Sequence, residues 1–152
     1  MSVNLAEEIA ASAITVQATA TDWRAAIRLA GAGLTASSVA TEAYTDEMIA
    51  AVEEHGPYIV IAPGIALAHS RPSPAVQRTG LSFVSLAEPV AFGHAVNDPV
   101  RLVLGFAAVD HDSHIALLSA VAGVLGDRSK VDALLAADSV QSVLDLFQNY
   151  AS

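Results

Sequence analysis

Two periods of apolar residues alternate along the chain, one typical of strands and one typical of helices. Alternating or almost uninterrupted apolar runs predict strands at residues 14–18, 58–62, 65–68, 81–86 and 100–109, with a short edge strand at 89–93. Apolar positions spaced by three and four residues predict helices at 21–30, 41–54, 113–125, 129–137 and 139–150. Strands interleaved with helices predict an α/β fold in which a mixed central sheet is flanked by helices on both faces.

Several residues in this pattern are expected to mark the ends of elements. Gly31 and Gly33 are expected to end the first helix, and Ser113 is a candidate cap for helix 113–125. Pro89 restricts the strand at 89–93 to an edge of the sheet, because proline has no N–H to donate. Trp23, on the apolar face of the first helix, is expected to join the core.

Composition narrows the class of protein. The 152 residues, 53% of them hydrophobic, fit a single-domain sandwich spanning residues 1–152. The absence of cysteine excludes disulfides and thiol nucleophiles. A formal charge of −9 disfavours nucleic acid and favours a basic protein partner. The apolar segment at 99–110 is too short to cross a bilayer, and the first residues lack a basic leader, so we expect a cytoplasmic protein without membrane insertion.

Two histidines are placed where an α/β sheet usually binds ligands. His69 follows a predicted buried strand, and His114 lies in the first turn of the helix that follows another strand. A helix N-terminus attracts an anionic phosphoryl group and disfavours protonation of His114. A neutral imidazole is a nucleophile, a second one can orient the phosphoryl group, and Arg71 adds positive charge. The sequence therefore predicts a phosphoryl-transfer site.

A metal site is the main chemical alternative. His111 and His114, three residues apart, lie beside Asp110 and Asp112, and a hydrolase could use His69 with these two histidines. The sequence contains no HExxH motif to support this interpretation. It also contains no phosphate-binding GxxxxGK[ST] or GxGxxG loop, so we expect no cofactor.

Two sequence signatures resemble a known family. The segment GPYIVIAPGIALAHSRP, at 56–72, resembles the active-site segment of the enzyme IIA components of the bacterial phosphoenolpyruvate-dependent sugar phosphotransferase system. It is most similar to the ascorbate-type branch of the mannitol/fructose superfamily. NDPV at 97–100, followed by an apolar run and by Ser113-His114, is similar to the second signature of that family. The two signatures occur in the expected order, and the resemblance spans nearly the whole chain.

The resemblance implies a role for each histidine. His69 would be phosphorylated by the histidine-containing phosphocarrier protein, and His114 would help to hold the phosphoryl group. The next acceptor would be a cysteine of a IIB component, and onward transfer would serve a membrane IIC permease. Homologous domains also act as regulators whose phosphorylation state is sensed, so a regulatory IIA-like domain is the alternative function.

The chain departs from the family pattern at two places. Ala68 stands where the family usually has proline, which removes a backbone restraint but no reacting group. Mannitol-type members carry an arginine on the helix before the GPYIVI-like strand, where this chain has Ala51, Val52 and Glu53. Stabilisation of phosphoryl charge is therefore left to Arg71 or to no arginine.

Overall fold

A computed structural model describes residues 4–150 of the chain. No helix in this part of the chain is both long enough and apolar enough to cross a membrane. The described residues form α1 Leu5–Glu8, β1 Ile9–Ala18, α2 Trp23–Ala36, α3 Glu42–His55, β2 Val60–Ala62, β3 Ile65–Ala68, β4 Gly80–Val90, β5 Val100–Ala107, α4 His111–Leu125, α5 Arg128–Ala136 and α6 Val140–Tyr150.

The five strands form one mixed sheet in the order β1-β4-β5-β3-β2. β1 runs parallel to β4, and β3 runs parallel to β5, whereas the β4–β5 and β2–β3 pairs are antiparallel. Ala68, the last residue of β3, pairs with Gly105 near the end of β5. The residues that follow these two strands therefore leave the sheet at the same edge.

Side chains that alternate along the central strands build a core on each face of the sheet. Leu102, Leu104 and Phe106 pack with α1, α4, α5 and α6. Val103 and Ala107, between and beyond them on β5, pack with α2 and α3. The predicted mixed sheet with helices on both faces is confirmed, and Trp23 packs, partly buried, against the second of these cores.

The prediction that Gly31 and Gly33 end a helix is wrong, because both lie inside α2. The reason is packing. A Cβ atom on Gly33 would lie 2.8 Å from Cβ of Ser82 and 2.9 Å from the carbonyl oxygen of Ala13, and one on Gly31 would collide with the Thr45 side chain. The glycines let α2 pack closely against the sheet and α3, and this gain in contact outweighs their low helix propensity.

A separate edge strand at 89–93 is also absent. Pro89 and Val90 complete β4, and Val90 pairs with Val100 across an irregularity in the β4–β5 ladder. The Asp98 carboxylate then accepts hydrogen bonds from the backbone N–H groups of Phe92, Gly93 and His94. Because these N–H groups are bonded to Asp98, they are not available to a strand ladder, and the segment forms a loop.

The start of the chain also differs from the prediction. Helix α1 was not predicted, and β1 begins at Ile9 instead of residue 14.

The close approach at Gly33 predicts an unusual stability change. Gly33→Ala should lower the free energy of unfolding by about 1–3 kcal/mol, because overpacking outweighs the gain in helix propensity. Gly123→Ala is the matched control, since nothing lies within 4 Å of a Cβ there. This change in α4 should raise stability by about 0.5–1 kcal/mol. Urea unfolding followed by circular dichroism measures both, and a Gly33→Ala variant as stable as the natural sequence would contradict the packing argument.

Candidate active site

An open cleft of about 1180 Å³ lies between α3, the segment that follows β3 and the N-terminus of α4. It contains three of the side chains selected from the sequence, His69, Arg71 and His114. Its described lining is Glu47, Ala50, Ala51, Glu54, His55, Tyr58, His69, Ser70, Arg71, Pro72, Ser73, His111, His114 and Ile115. The two parallel strands β3 and β5 thus bring residues from distant parts of the sequence to one edge.

The hydrogen bond of the His69 ring determines which ring nitrogen is reactive. Nδ1 of His69 lies 2.7 Å from the carbonyl oxygen of Leu67, in the strand that precedes it. Because a carbonyl oxygen only accepts, Nδ1 must carry the proton. In the neutral ring, Nε2 then holds the lone pair. His69 is half-buried and lines the cleft, so this nitrogen is the candidate nucleophile.

Aromatic rings fix the orientation of the His69 imidazole. Tyr58 packs edge to face against it with ring centroids 5.5 Å apart, and Phe106 packs against it at 6.1 Å. The Tyr58 hydroxyl also makes a long, 3.4 Å hydrogen bond to the His69 carbonyl oxygen. Sequence reasoning assigned Tyr58 only to a strand, although its position in the GPYIVI segment was the available signal.

His114 is a second imidazole beside the first. Its ring centroid lies 6.0 Å from that of His69 and 4.9 Å from that of Phe106. Nδ1 of His114 is buried and has no hydrogen-bond partner among the described residues. Burial lowers the pKa of His114, and the neighbouring His69 and His111 lower it further. The expected direction is confirmed, and burial is its main cause.

The cap of α4 differs from the sequence prediction. The helix begins at His111, and the Asp110 side chain accepts a hydrogen bond of 2.8 Å from the Ser113 N–H. Ser113 as the cap is therefore wrong, because Asp110 has already satisfied the N–H group in the first turn. Hydrogen bonding from Ser113, first through its backbone N–H and then through its side chain, lowers the pKa of Asp110. The N-terminus of α4 thus carries a carboxylate at its cap, and this negative charge offsets part of the positive charge at that end of the helix dipole.

Arg71 is the sole lysine or arginine among the described residues that line the cleft. It is exposed, and its guanidinium makes no hydrogen bond or ion pair with the residues that the structure describes. The residues of α3 that line the cleft are Glu47, Ala50, Ala51, Glu54 and His55. Glu53 instead forms a 3.0 Å ion pair with Arg24. α3 therefore contributes no lysine or arginine to the described lining, and Arg71 is the permanently charged group there that can meet a bound anion.

The histidines do not form a recognisable metal centre. Within residues 4–150, no group of three or more histidine, cysteine, aspartate or glutamate side chains has an arrangement suited to holding a metal ion. His111 lines the cleft with His69 and His114, but Asp110 is engaged as the helix cap. The geometry thus gives the metal-dependent alternative no support.

Comparison with known proteins assigns the chain to a class, the phosphotransferases of bacterial sugar uptake. The family model described as "Phosphoenolpyruvate-dependent sugar phosphotransferase system, EIIA 2" matches residues 8–150, and the chain belongs to this family. The resemblance seen in the two sequence signatures is thereby confirmed.

Individual relatives agree with this assignment. The ascorbate-specific EIIA component of Shigella flexneri is 38% identical over 134 residues, which cover 88% of this chain and 87% of that protein. The solution structure of the mannitol-specific cryptic enzyme IIA of Escherichia coli matches with a TM-score of 0.87 at 30% identity, covering 97% of this chain and 99% of that one. In the structure of a complex between Escherichia coli mannitol enzyme IIA and phosphorylated enzyme IIB, one chain matches with a TM-score of 0.80 at 27% identity, covering 93% of this chain and 97% of that one.

The environment of His114 predicts its titration. In an NMR pH titration, its pKa should lie below the ordinary histidine value of about 6.5, since burial disfavours the charged ring. His69→Gln should raise this pKa part of the way, because the electrostatic contribution of the neighbouring imidazole is removed while burial persists. Between its folded and unfolded pKa values, this ring binds fewer protons in the folded protein than in the unfolded chain. The free energy of unfolding should therefore decrease as pH falls from the unfolded pKa towards the lower folded pKa. A pKa at or above the ordinary value would contradict this account.

Proposed function

We propose that this EIIA component is a cytoplasmic phosphoryl carrier that uses Nε2 of His69. The donor is the phosphohistidine of the histidine-containing phosphocarrier protein. A P–N bond to Nε2 forms as the P–N bond of the donor breaks. A cysteine thiolate of the IIB component then attacks phosphorus, so that a P–S bond forms as the P–N bond to Nε2 breaks, and Nε2 regains its lone pair. The observation that carries the proposal is the 2.7 Å bond between Nδ1 and the Leu67 carbonyl, which in the neutral ring leaves the lone pair on Nε2.

The open cleft suits transfer between two proteins. His69 is half-buried at the rim, so a partner side chain can approach Nε2 in line with the bond that breaks. Glu47 and Glu54 on α3 line the cleft, and the net charge of the chain is −9. These charges favour encounter with partners that present basic surfaces around their reactive residues.

Two side chains are proposed to stabilise the phosphorylated state. The neutral His114 ring lies beside His69 and donates an imidazole N–H to a phosphoryl oxygen. Because the ring is neutral, it avoids the desolvation cost of burying an imidazolium. Arg71 supplies the positive charge that faces the transferred group. The absence of an arginine from residues 51–53 makes Arg71 the cation on which this chain depends.

The relatives indicate a substrate for the complete system. The curated proteins at 37–38% identity are named ascorbate-specific EIIA components. We therefore propose that phosphate leaving His69 serves ascorbate uptake through a membrane IIC component, to which this chain is coupled through IIB.

Phosphotransfer with defined variants tests the proposal. After incubation with phosphoenolpyruvate, enzyme I and the phosphocarrier protein, intact mass should increase by one phosphoryl group. His69→Ala should abolish the increase, because the nucleophile is lost. His114→Ala should permit it at a lower rate, by roughly 10- to 1,000-fold for the loss of one oriented donor. An adduct that survives His69→Ala, or equal and complete loss in both variants, would contradict these roles.

The same assay separates local charge from net charge. Arg71→Gln should slow transfer, whereas Arg28→Gln, on α2 and outside the cleft lining, changes net charge equally and should leave the rate unchanged. Equal rates for the two variants would remove Arg71 from the site.

A further inference from the structure

We infer that Tyr44 is a positioning residue for phosphoryl transfer, because its buried hydroxyl joins the strand end that carries His69 to the strand end that supports both imidazoles. The inference rests on the proposed function, since it concerns the geometry of the same reaction. Tyr44 does not line the cleft and is not proposed to touch the transferred group. It acts through the backbone of its hydrogen-bond partners.

The Tyr44 hydroxyl makes three contacts at the edge of the sheet. The side chain reaches inward from α3 and is only 1% exposed. Its oxygen accepts the N–H of Ser70 at 2.9 Å and lies 2.8 Å from the Phe106 carbonyl oxygen and 3.1 Å from the Ser70 carbonyl oxygen. A single O–H hydrogen serves both carbonyls, and the lone pair serves the amide.

These partners are the residues that hold the two histidines in place. Ser70 directly follows His69, so its backbone sets the direction in which the chain leaves the reactive residue. Phe106 lies in β5, and its ring packs against His69 at 6.1 Å and His114 at 4.9 Å. The Tyr44 hydroxyl therefore restrains the backbone after His69 relative to Phe106, whose ring packs against both imidazoles.

The Tyr44 hydroxyl contributes hydrogen bonds that packing of the ring in the core does not explain. Tyr44 belongs to the apolar core that also contains Met48 and Val52 of the same helix, and packing in such a core does not require a hydroxyl. Burial raises the pKa of Tyr44 to about 12, so the hydroxyl remains a protonated donor at neutral pH. A buried polar network with all its members bonded has a defined geometry, which packing between apolar surfaces alone does not impose.

Tyr44→Phe tests the inference because it removes the hydroxyl and keeps the ring. Ser82→Ala is the matched control. It also removes a fully buried hydroxyl, which donates to the Ala30 carbonyl oxygen at 2.7 Å between β4 and α2, away from the cleft lining. Both are made in a Gly123→Ala background, which should offset part of the lost stability.

The readout is the rate of His69 phosphorylation by the phosphorylated phosphocarrier protein, corrected for the folded fraction. Tyr44→Phe should lower kcat roughly 10- to 100-fold and leave KM within about twofold, because the nucleophile is misplaced while docking is unchanged. Ser82→Ala should change neither constant. Equal kcat values in Tyr44→Phe and Ser82→Ala would overturn the inference.

A second measurement does not depend on the variant folding. In the natural sequence, hydrogen exchange of the Ser70 amide should be strongly protected, because its N–H is bonded to the Tyr44 hydroxyl. Exchange at the rate of an open loop would overturn the inference. Failure of the natural sequence to accept any phosphoryl group would instead refute the proposed function itself.

Discussion

The hydrogen bond from Nδ1 of His69 to the Leu67 carbonyl is the constraint on which the site depends. The two partners are only two residues apart in the sequence, so the bond forms once the end of β3 has its correct backbone conformation. Parallel pairing of β3 with β5 provides that placement, and the helices on both faces bury the two strands. This bond sets the tautomer of the neutral ring and leaves Nε2 as the nitrogen that can react.

Charge in the site is kept low before phosphate arrives. Burial lowers the pKa of His114 and so favours its neutral ring, and Asp110 places a carboxylate at the N-terminus of α4. Arg71 is exposed on the segment after β3 and pairs with none of the residues described. An anion held between the imidazoles would therefore meet a neutral donor on one side and an exposed cation on the other. This arrangement favours a carrier, in which the phosphoryl group must be held and then released to a second protein.

The sequence was most informative where a local pattern coincided with tertiary structure. The apolar runs that became β3 and β5 are largely buried, and the parallel pairing of these two strands places His69 and His114 at one edge. Gly31 and Gly33 were misjudged because close packing against β1, β4 and α3 decides their conformation. Asp110 and Ser113 are both good caps, and the choice depends on where the preceding strand ends. The role inferred for Tyr44 rests on contacts 26 and 62 residues away, for which the sequence holds no local signal.

The most direct test of the account is NMR of the phosphorylated protein labelled with ¹⁵N in its histidine rings. Coupling between phosphorus and a ring nitrogen identifies the atom that carries the group. The account predicts coupling to Nε2 of His69, with Nδ1 of the same ring still protonated and bonded to the Leu67 carbonyl. Coupling to Nδ1 of His69, or to any nitrogen of His55, His111 or His114, would contradict it.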